Sequence, residues 1–219
     1  MSWGKAPRIY LEYIAMEPLN LAILCSHNGS NLQAIIDACN DGQLNSEPRI
    51  VIGNNSRSCA LGRARLAGIS ACHLSGKTHP SKHALDVAIL ETLQWNNIDL
   101  VLLAGYMKKL GPKTIRAYQG RILNIHPALL PRHGGKTMYG RAVHQAVLDA
   151  GERVTGVSVH LVDNEYDHGE IISQSEVPVR SNDTVDSLAE RVLKRGHELY
   201  VRTIQQIERG NIKLPGLRV

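Results

Sequence analysis

The hydrophobic residues of this chain fall into short apolar runs separated by stretches with helical spacing. The apolar runs predict buried strands of a parallel sheet at 19–25, 49–53, 70–74, 99–105 and 121–125. Between them, aliphatic side chains recur every three or four residues, which predicts helices at 30–40, 57–67, 82–95 and 114–118. The alternation predicts a Rossmann-like α/β fold: a mostly parallel twisted sheet with helices on both faces, and with the very apolar run at 99–105 as a central strand.

The pattern changes in the last third of the chain. After a predicted helix at 141–149, apolar and polar residues alternate from Val157 to Val162, and a second extended run covers 170–179. Two such runs joined by a loop predict a C-terminal antiparallel extension of the sheet. A long helix is expected from Thr184 to about Glu208, capped by Asp183 or Thr184 and ended near Gly210. The expected organisation is a preamble at 1–18, with disorder as one expectation, a domain at 19–212 and a tail at 213–219.

The composition is that of a globular protein, because 43% of the 219 residues are hydrophobic and 21% are charged. The chain has no Phe, two Trp and seven Tyr, which disfavours a stacking surface for single-stranded nucleic acid. There are 25 Lys and Arg against 20 Asp and Glu, and the resulting charge of +5 is not gathered into one run. We therefore expect small-molecule partners, an anionic one among them, and no nucleic-acid partner.

The four cysteines stand far apart, and none belongs to a C-x-x-C pair. This spacing disfavours a zinc site and a disulfide framework, so we expect no metal and a reducing, cytoplasmic compartment. No apolar run approaches the roughly 18 residues that a membrane span requires. We therefore expect no membrane partner.

The first candidate site is the polar loop between the first predicted strand and its helix, which contains Gly29, Ser30 and Asn31. Ligands of open parallel sheets bind beyond the carboxyl ends of the strands, and free N–H groups at a helix start attract phosphate. The loop lacks the G-x-G-x-x-G pattern and a Walker lysine, so neither a dinucleotide nor a nucleoside triphosphate is indicated. A phosphate site and a simple turn with a helix cap both remain open.

Two further candidate sites follow later strands. Asn124 and His126 stand at the end of a predicted strand, and together they offer an amide donor and a group that titrates near neutral pH. The loop at 162–170 holds four acids: Asp163, Glu165, Asp167 and Glu170. Such a loop is usually a solvated surface, but an aspartate that reached His126 would raise the pKa of that histidine. His160, on the polar side of the preceding strand, is interpreted as a structural or supporting residue rather than a catalytic one.

Together and in this order, these segments resemble the phosphoribosylglycinamide formyltransferase family, over about residues 19 to 212. The resemblance is carried by Gly29-Ser30-Asn31, AGYM at 104–107, NIHPALLP at 124–131, VHLV at 159–162 and DHGEIISQ at 167–174. The later motifs are shared by other folate formyltransferases and by formyltetrahydrofolate hydrolases. The Gly-Ser-Asn loop after the first strand is the segment that favours the glycinamide ribonucleotide enzyme.

The resemblance implies transfer of a formyl group from 10-formyltetrahydrofolate to the amine of 5'-phosphoribosylglycinamide, in purine (IMP) biosynthesis. It implies that Gly29, Ser30 and Asn31 hold the phosphate end of the substrate. It places the folate donor against Lys82, Met107, Lys108, Lys109, Leu110 and Asn124. Asn124 and His126 would be catalytic and would stabilise a tetrahedral intermediate, with Asp167 raising the pKa of His126 so that it stays protonated. A monomer or a homodimer is expected.

The chain departs from the family pattern at four places. His27 stands where many relatives have Gly, Lys108 replaces a more usual Arg, and the loop near Lys136–Gly140 is longer than usual. Gly196 stands where relatives often have a Glu that contacts the ribose of the substrate, which weakens the expectation for ribonucleotide recognition. The alternatives are a related folate formyl-group enzyme (a formyltetrahydrofolate hydrolase or a sugar-nucleotide formyltransferase) and a catalytically inactive ligand-binding homologue.

Overall fold

A computed structural model describes residues 17–217, in which strands and helices alternate along most of the chain. The strands are β1 (Asn20–Cys25), β2 (Glu47–Gly53), β3 (Ser70–His73), β4 (Leu100–Leu103), β5 (Ile122–His126), β6 (Val154–Leu161) and β7 (Ile171–Pro178). The helices are α1 (Ser30–Asn40), α2 (Cys59–Leu66), α3 (Lys82–Trp95), α4 (Pro112–Ala117), α5 (Arg141–Asp149) and α6 (Val185–Glu208). The predicted elements are all present, with ends that differ by a few residues.

The strands form one sheet in the order β3-β2-β1-β4-β5-β6-β7. The pairs among β1 to β5 are parallel, whereas β6 pairs antiparallel with β5 and β7 pairs antiparallel with β6. The fold class predicted from the sequence is confirmed, including the central position of β4. Because β1 and β4 are neighbours from distant parts of the chain, their carboxyl ends bring two separate loops to one edge of the sheet.

Two apolar layers cover the faces of the sheet, as parallel strands require. One layer packs α1 and α6 against the sheet, with the buried face of α6 formed by Leu188, Val192, Leu199, Tyr200, Ile204 and Ile207. The other layer packs α3 and α4 against the opposite face. Tyr200, which is fully buried, donates a hydrogen bond from its hydroxyl to the carbonyl of Leu123 at 3.1 Å. This bond joins α6 to β5, the strand that carries Asn124 and His126.

The helix ends agree with the predicted signals in α6 and differ in α1. Thr184 caps α6 and forms a capping box with Ser187, and Gly210 follows the helix with a φ of 68°. In α1 the residue before the helix is Gly29, with a φ of 73°, and no side chain caps the helix. Of the two possibilities left open for this loop, a turn with a side-chain cap is not what the structure shows: Ser30 and Asn31 lie inside the first turn, and the N–H groups of that turn have no side-chain cap.

The expected preamble at 1–18 falls mostly on residues 1–16, which lie outside the described residues, as do residues 218–219 of the expected tail. Within the described part of that tail, Leu214 is buried and Leu217 packs against the same core. The division of the chain into preamble, domain and tail stays a prediction.

Candidate active site

Strand β5 carries two of the predicted catalytic residues to the edge of the sheet. Its residues Ile122 and Leu123 are buried in the two apolar layers, which fixes the strand, and Asn124 and His126 follow at its carboxyl end. In the antiparallel ladder with β6, Asn124 lies opposite His160 and His126 lies opposite Ser158. Directly opposite residues of a ladder share a face, so β6 supplies a second histidine to the same site.

The loop between β6 and β7 brings Asp167 onto this pair of strands. Oδ2 of Asp167 lies 3.5 Å from Nδ1 of His126 and accepts a hydrogen bond from the N–H of Gly135 at 2.9 Å. Oδ1 lies 3.4 Å from Nδ2 of Asn124 and 3.5 Å from Nε2 of His160. The structure therefore brings together the three residues that the sequence analysis proposed as catalytic, and it adds His160 to them.

The ring of His126 is buried and has one direct hydrogen bond. Its Nε2 lies 2.8 Å from the carbonyl oxygen of His133, which can only accept, so Nε2 carries a hydrogen. Nδ1, on the other side of the ring, faces Asp167. Any proton that makes this ring cationic therefore sits on Nδ1, beside the carboxylate.

The protonation of His126 differs from the expectation. Burial lowers the pKa of His126, and this outweighs the Asp167 charge and the His133 carbonyl, which both raise it, while His160 and the His133 ring lower it further. The expected influence of Asp167 has the right sign, but the expectation of a raised pKa and a protonated His126 is wrong for the free protein. The physical reason is that removal of the ring from water destabilises the imidazolium more than the Asp167 carboxylate, at 3.5 Å, stabilises it.

Asp167 itself stays ionised. Burial would raise the pKa of its carboxyl, but the neighbouring rings of His160 and His126 and the N–H of Gly135 together lower that pKa. The acid is thus held by groups from three separate segments of the chain. The alternative interpretation from the sequence, an acidic loop exposed to solvent, therefore does not apply to Asp167.

Asn124 and His160 orient each other. Nδ1 of His160 lies 2.8 Å from the carbonyl oxygen of Leu161, so it donates, and Nε2 is then the acceptor for the Asn124 amide at 3.0 Å. The second hydrogen of the Asn124 amide faces Asp167 at the longer distance of 3.4 Å. Because that contact is weaker, the second Asn124 hydrogen is available to a ligand.

The loops after β1 and β4 meet beside these residues and enclose a cavity. The Ser26 hydroxyl accepts a hydrogen bond from the N–H of Met107 at 2.7 Å, which ties the two loops together. The cavity has a volume of about 450 Å³. Asn31 stands in its wall, as do Asn124, His126, His160 and Asp167 and the chain from Gly105 to Leu110. A single cleft therefore connects Asn31 of the predicted phosphate loop, the predicted catalytic residues and the predicted donor pocket.

Known proteins are similar to this chain both in sequence and in structure. A family model described as formyl transferase matches residues 19–204. The chain is 38% identical over 196 residues to the phosphoribosylglycinamide formyltransferase of Escherichia coli K12, with 90% of each chain covered. This chain belongs to the phosphoribosylglycinamide formyltransferase family. The glycinamide ribonucleotide transformylase 1 of Symbiobacterium toebii has a similar structure, with a TM-score of 0.84, 38% identity and 93% of each chain covered.

This chain matches only part of the length of two plant members of the family. The chloroplastic enzyme of Arabidopsis thaliana is 41% identical over 194 residues, which cover 88% of this chain and 66% of the plant protein. The enzyme of Vigna unguiculata is 39% identical over 85% of this chain and 60% of its own length. The chain thus spans about two thirds or less of these two relatives.

The structure separates the predicted binding residues of this chain into three groups. Asn31, Met107, Lys108, Lys109 and Leu110 line the cavity together with the predicted catalytic residues. Gly29 and Ser30 lie next to it at the start of α1, and a Cβ on Gly29 would come within 2.7 Å of the Ala60 Cβ. The close approach that Gly29 permits is therefore to α2. Lys82 is exposed at the first residue of α3 and does not belong to the cavity wall.

Several residues of the site were missed or undervalued in the sequence. His160 is buried and contacts both Asn124 and Asp167. Ser158 is also buried: its hydroxyl accepts from the N–H of Leu130 and donates to the carbonyl of Ala128, which supports the loop after His126. The alternation in β6 predicted a polar face, and only the packing of the 127–135 segment shows that this face is covered. His144 lines the cavity from α5, and its Nδ1 has no hydrogen-bond partner among residues 17–217.

The departures from the family pattern lie at the cavity or close to it. Gly196 is buried in the wall formed by α6, and a Cβ there would stand 3.4 Å from Ile125 Cδ1 and 3.9 Å from Asn31 Oδ1. Oδ1 of Asn31 is itself buried without a hydrogen-bond partner in the described residues. The longer loop contributes Lys136, Met138 and Tyr139 to the wall. His27 is exposed beside Asn28 and leaves the cavity unobstructed.

Residues 17–217 lack both a helix that could cross a membrane and a group of side chains that could hold a metal ion. None of the helices described there is both long and apolar enough to cross a bilayer. In the same part of the chain, no three His, Cys, Asp or Glu side chains are grouped so that they could hold a metal ion.

Proposed function

We propose that this protein transfers a formyl group from 10-formyltetrahydrofolate to the amine of 5'-phosphoribosylglycinamide, a step of purine biosynthesis. The observation that carries the proposal is the placement of Asn124, His126 and Asp167 in one cavity that also reaches the start of α1. Membership of the formyltransferase family supplies the reaction class. The chain's own residues support the individual steps.

The two ends of the cavity suit the two substrates. The uncapped first turn of α1 offers free N–H groups and a positive helix end to the phosphate, beside Gly29, Ser30 and Asn31. At the other end, Met107 and Leu110 of the 105–110 segment form an apolar wall together with Ile115. A wall of this kind suits a flat ring system with a hydrogen-bonding edge. Lys108, Lys109, Lys136 and Arg141 line the cavity and favour anionic ligands.

His126 is proposed to carry the proton between the two substrates. The neutral ring of the free protein can accept a proton from the attacking amine on Nδ1, and the cation is then stabilised by Asp167 at 3.5 Å. As the bond between the formyl carbon and the folate nitrogen breaks, Nδ1 returns the proton to that nitrogen. The amine loses one proton and the folate nitrogen gains one, so the ring ends in its starting state.

Asn124 is proposed to stabilise the negative charge that develops on the formyl oxygen. His160 fixes the amide through the 3.0 Å contact, and the second amide hydrogen, whose contact with Asp167 is the longer one at 3.4 Å, is available to the oxygen. A donor held in place before the reaction stabilises the transition state more than one that must first be oriented. Removal of such a donor costs about 3 kcal/mol, or roughly a hundredfold in rate.

The test is a transfer assay with and without the amine substrate. The protein is mixed with 10-formyltetrahydrofolate, and absorbance follows the release of tetrahydrofolate. We expect release that depends on 5'-phosphoribosylglycinamide, and a kcat lowered roughly a hundredfold or more in Asn124→Ala and His126→Ala. Equal release without the amine would indicate a hydrolase, and binding without release would indicate an inactive homologue; either result would overturn the proposal.

We also propose the cytoplasm as the location and a monomer or homodimer as the assembly. The scattered cysteines support a reducing compartment, and the four of them are free in the structure. Light scattering of the purified protein over a range of concentrations measures the assembly. A stable tetramer or larger form would contradict it.

A further inference from the structure

The segment from Arg132 to Gly135 touches both His126 and Asp167 through its backbone. The carbonyl of His133 accepts the hydrogen bond from Nε2 of His126 at 2.8 Å, and the N–H of Gly135 donates to Oδ2 of Asp167 at 2.9 Å. The positions of the imidazole and of the carboxylate therefore depend on how this segment is held. Neither contact uses a side chain of the segment, so its own side chains are free for another role.

The backbone of this segment is in an unusual conformation. His133 has a φ of 53° and Gly135 a φ of 108°, and a Cβ on Gly134 would lie 2.7 Å from Leu130 Cδ2. A residue other than glycine in the left-handed region costs conformational free energy and persists when its surroundings hold it there. Contacts of the His133 side chain with its surroundings can therefore hold the segment in this conformation.

Glu152, in the turn between α5 and β6, supplies these contacts. Its Oε1 lies 3.5 Å from Nε2 of His133 and 3.1 Å from the Arg132 guanidinium, and its Oε2 lies 3.2 Å from the same guanidinium. Nε2 of His133 is buried and has no hydrogen-bond partner among residues 17–217, so the carboxylate is the polar group that faces it. The Arg132 side chain is 73% exposed, whereas the side chains of His133 and Glu152 are 16% and 24% exposed, so solvent screens the His133–Glu152 contact less.

We propose that Glu152 and His133 form a positioning pair for the catalytic histidine. Glu152 holds the His133 ring, the ring holds the left-handed backbone at residue 133, and the His133 carbonyl then fixes His126 with its hydrogen on Nε2 and its Nδ1 toward Asp167. Glu152 touches no residue of the catalytic group directly. The catalytic part of this inference rests on the proposed formyl transfer, whereas the effect on the His126 ring does not.

Kinetics test the catalytic part, with Glu152→Ala, Glu152→Gln and the control Glu47→Ala. Glu47 forms a comparable surface pair with Arg49 at 2.7 Å, at the amino end of β2 and away from the cavity. We expect kcat to fall about tenfold to a hundredfold in Glu152→Ala with little change in either KM, because substrate binding uses other groups. Glu152→Gln, which can still accept a hydrogen bond, should recover much of the loss, and Glu47→Ala should match the wild type.

Nitrogen-15 NMR of the histidine rings tests the positioning without turnover. The neutral wild-type His126, assigned by its absence in His126→Asn, should show its hydrogen on Nε2, and Glu152→Ala should move both ring nitrogen signals toward a mixture of tautomers. Unchanged His126 signals in a folded Glu152→Ala protein would overturn the inference, as would a kcat equal to that of Glu47→Ala in an active enzyme. If the wild type transfers no formyl group, the proposed function fails, and the NMR result still decides the positioning role.

Discussion

At the scale of single residues, the site is governed by a competition between burial and charge at His126. The family resemblance predicted that Asp167 acts on His126, and Oδ2 of Asp167 lies 3.5 Å from Nδ1 of His126. What decides the charge of the ring is how far it is withdrawn from water, and that lowers its pKa despite the carboxylate. A neutral ring with a carboxylate ready beside it suits a group that must accept a proton and return it.

Replacement of Asp167 by asparagine should lower the pKa of His126 still further. The asparagine oxygen can still accept from the N–H of Gly135, but the negative charge that favours the imidazolium is lost. The pKa is measured by NMR titration of the ring C–H signals, with Asp163→Asn, in the same loop and paired with His168, as the control. An unchanged or higher pKa in Asp167→Asn would contradict the assignment, and the control should leave the His126 titration where it is.

At the scale of elements, a buried carboxylate takes the place of a missing helix cap. The residue before α4 is Gly111, which has no side chain to cap the helix. Asp86, on α3 and only 3% exposed, accepts hydrogen bonds from the N–H groups of Lys113 and Thr114 and from the Thr114 hydroxyl, at 2.7 to 3.0 Å. A Cβ at residue 111 would overlap this carboxylate, so glycine there and aspartate at 86 form one unit that joins α3 to α4.

Asp86→Ala should therefore lower the free energy of unfolding by about 3 kcal/mol, because three donors, two of them buried, lose their carboxylate acceptor. Urea denaturation followed by circular dichroism measures the change. The control is Asp37→Ala, which removes an exposed carboxylate that bonds Gln33 within α1 and should change stability by less than about 0.5 kcal/mol. A loss at Asp86 as small as that of the control would show that the cap contributes little.

At the scale of the whole molecule, buried histidines should make the fold sensitive to acid. The pKa values of His126, His144 and His197 are all lowered, chiefly by burial. Below about pH 6.5 the unfolded chain binds protons on these rings that the folded chain does not, so the stability falls as pH falls. His168, whose pKa is raised by Asp163, acts in the opposite sense, but it is exposed and its effect is screened by solvent.

The free energy of unfolding should thus decrease between pH 7.5 and 5.5, with a slope of at most about 1.4 kcal/mol per pH unit for each histidine. Urea denaturation across this range measures the slope, which should be smaller in His126→Asn because one titrating ring is gone. A stability that stays flat or rises on acidification would mean that the rings remain open to water. Asp167, with a lowered pKa, adds to the loss only below about pH 3.8.

Much of the fold follows from local patterns. A parallel strand that is buried on both faces is a continuous apolar run, and a helix shows apolar residues every three or four positions, so both can be identified from residues close together in the sequence. The run at 99–105 predicted the central strand β4, and the helices at 30–40, 82–95 and 141–149 have the bounds that their spacing predicted. The cap at Thr184 was also readable, since a capping box uses residues three apart. The cap of α4 could not be predicted from the local sequence, because the acceptor is the carboxylate of Asp86, more than twenty residues earlier in the chain.

The chain's own residues determined the elements, their order and the segments that hold the site, because each depends on neighbours within a few positions. The tertiary structure alone decided which of those segments meet and how far their side chains are exposed to water. It placed His160 beside Asn124, made Gly29 a contact of α2, left Lys82 outside the cavity and withdrew His126 from water. Pairing across strands and the exclusion of solvent are properties of distant residues packed together, and for that reason no local pattern expresses them.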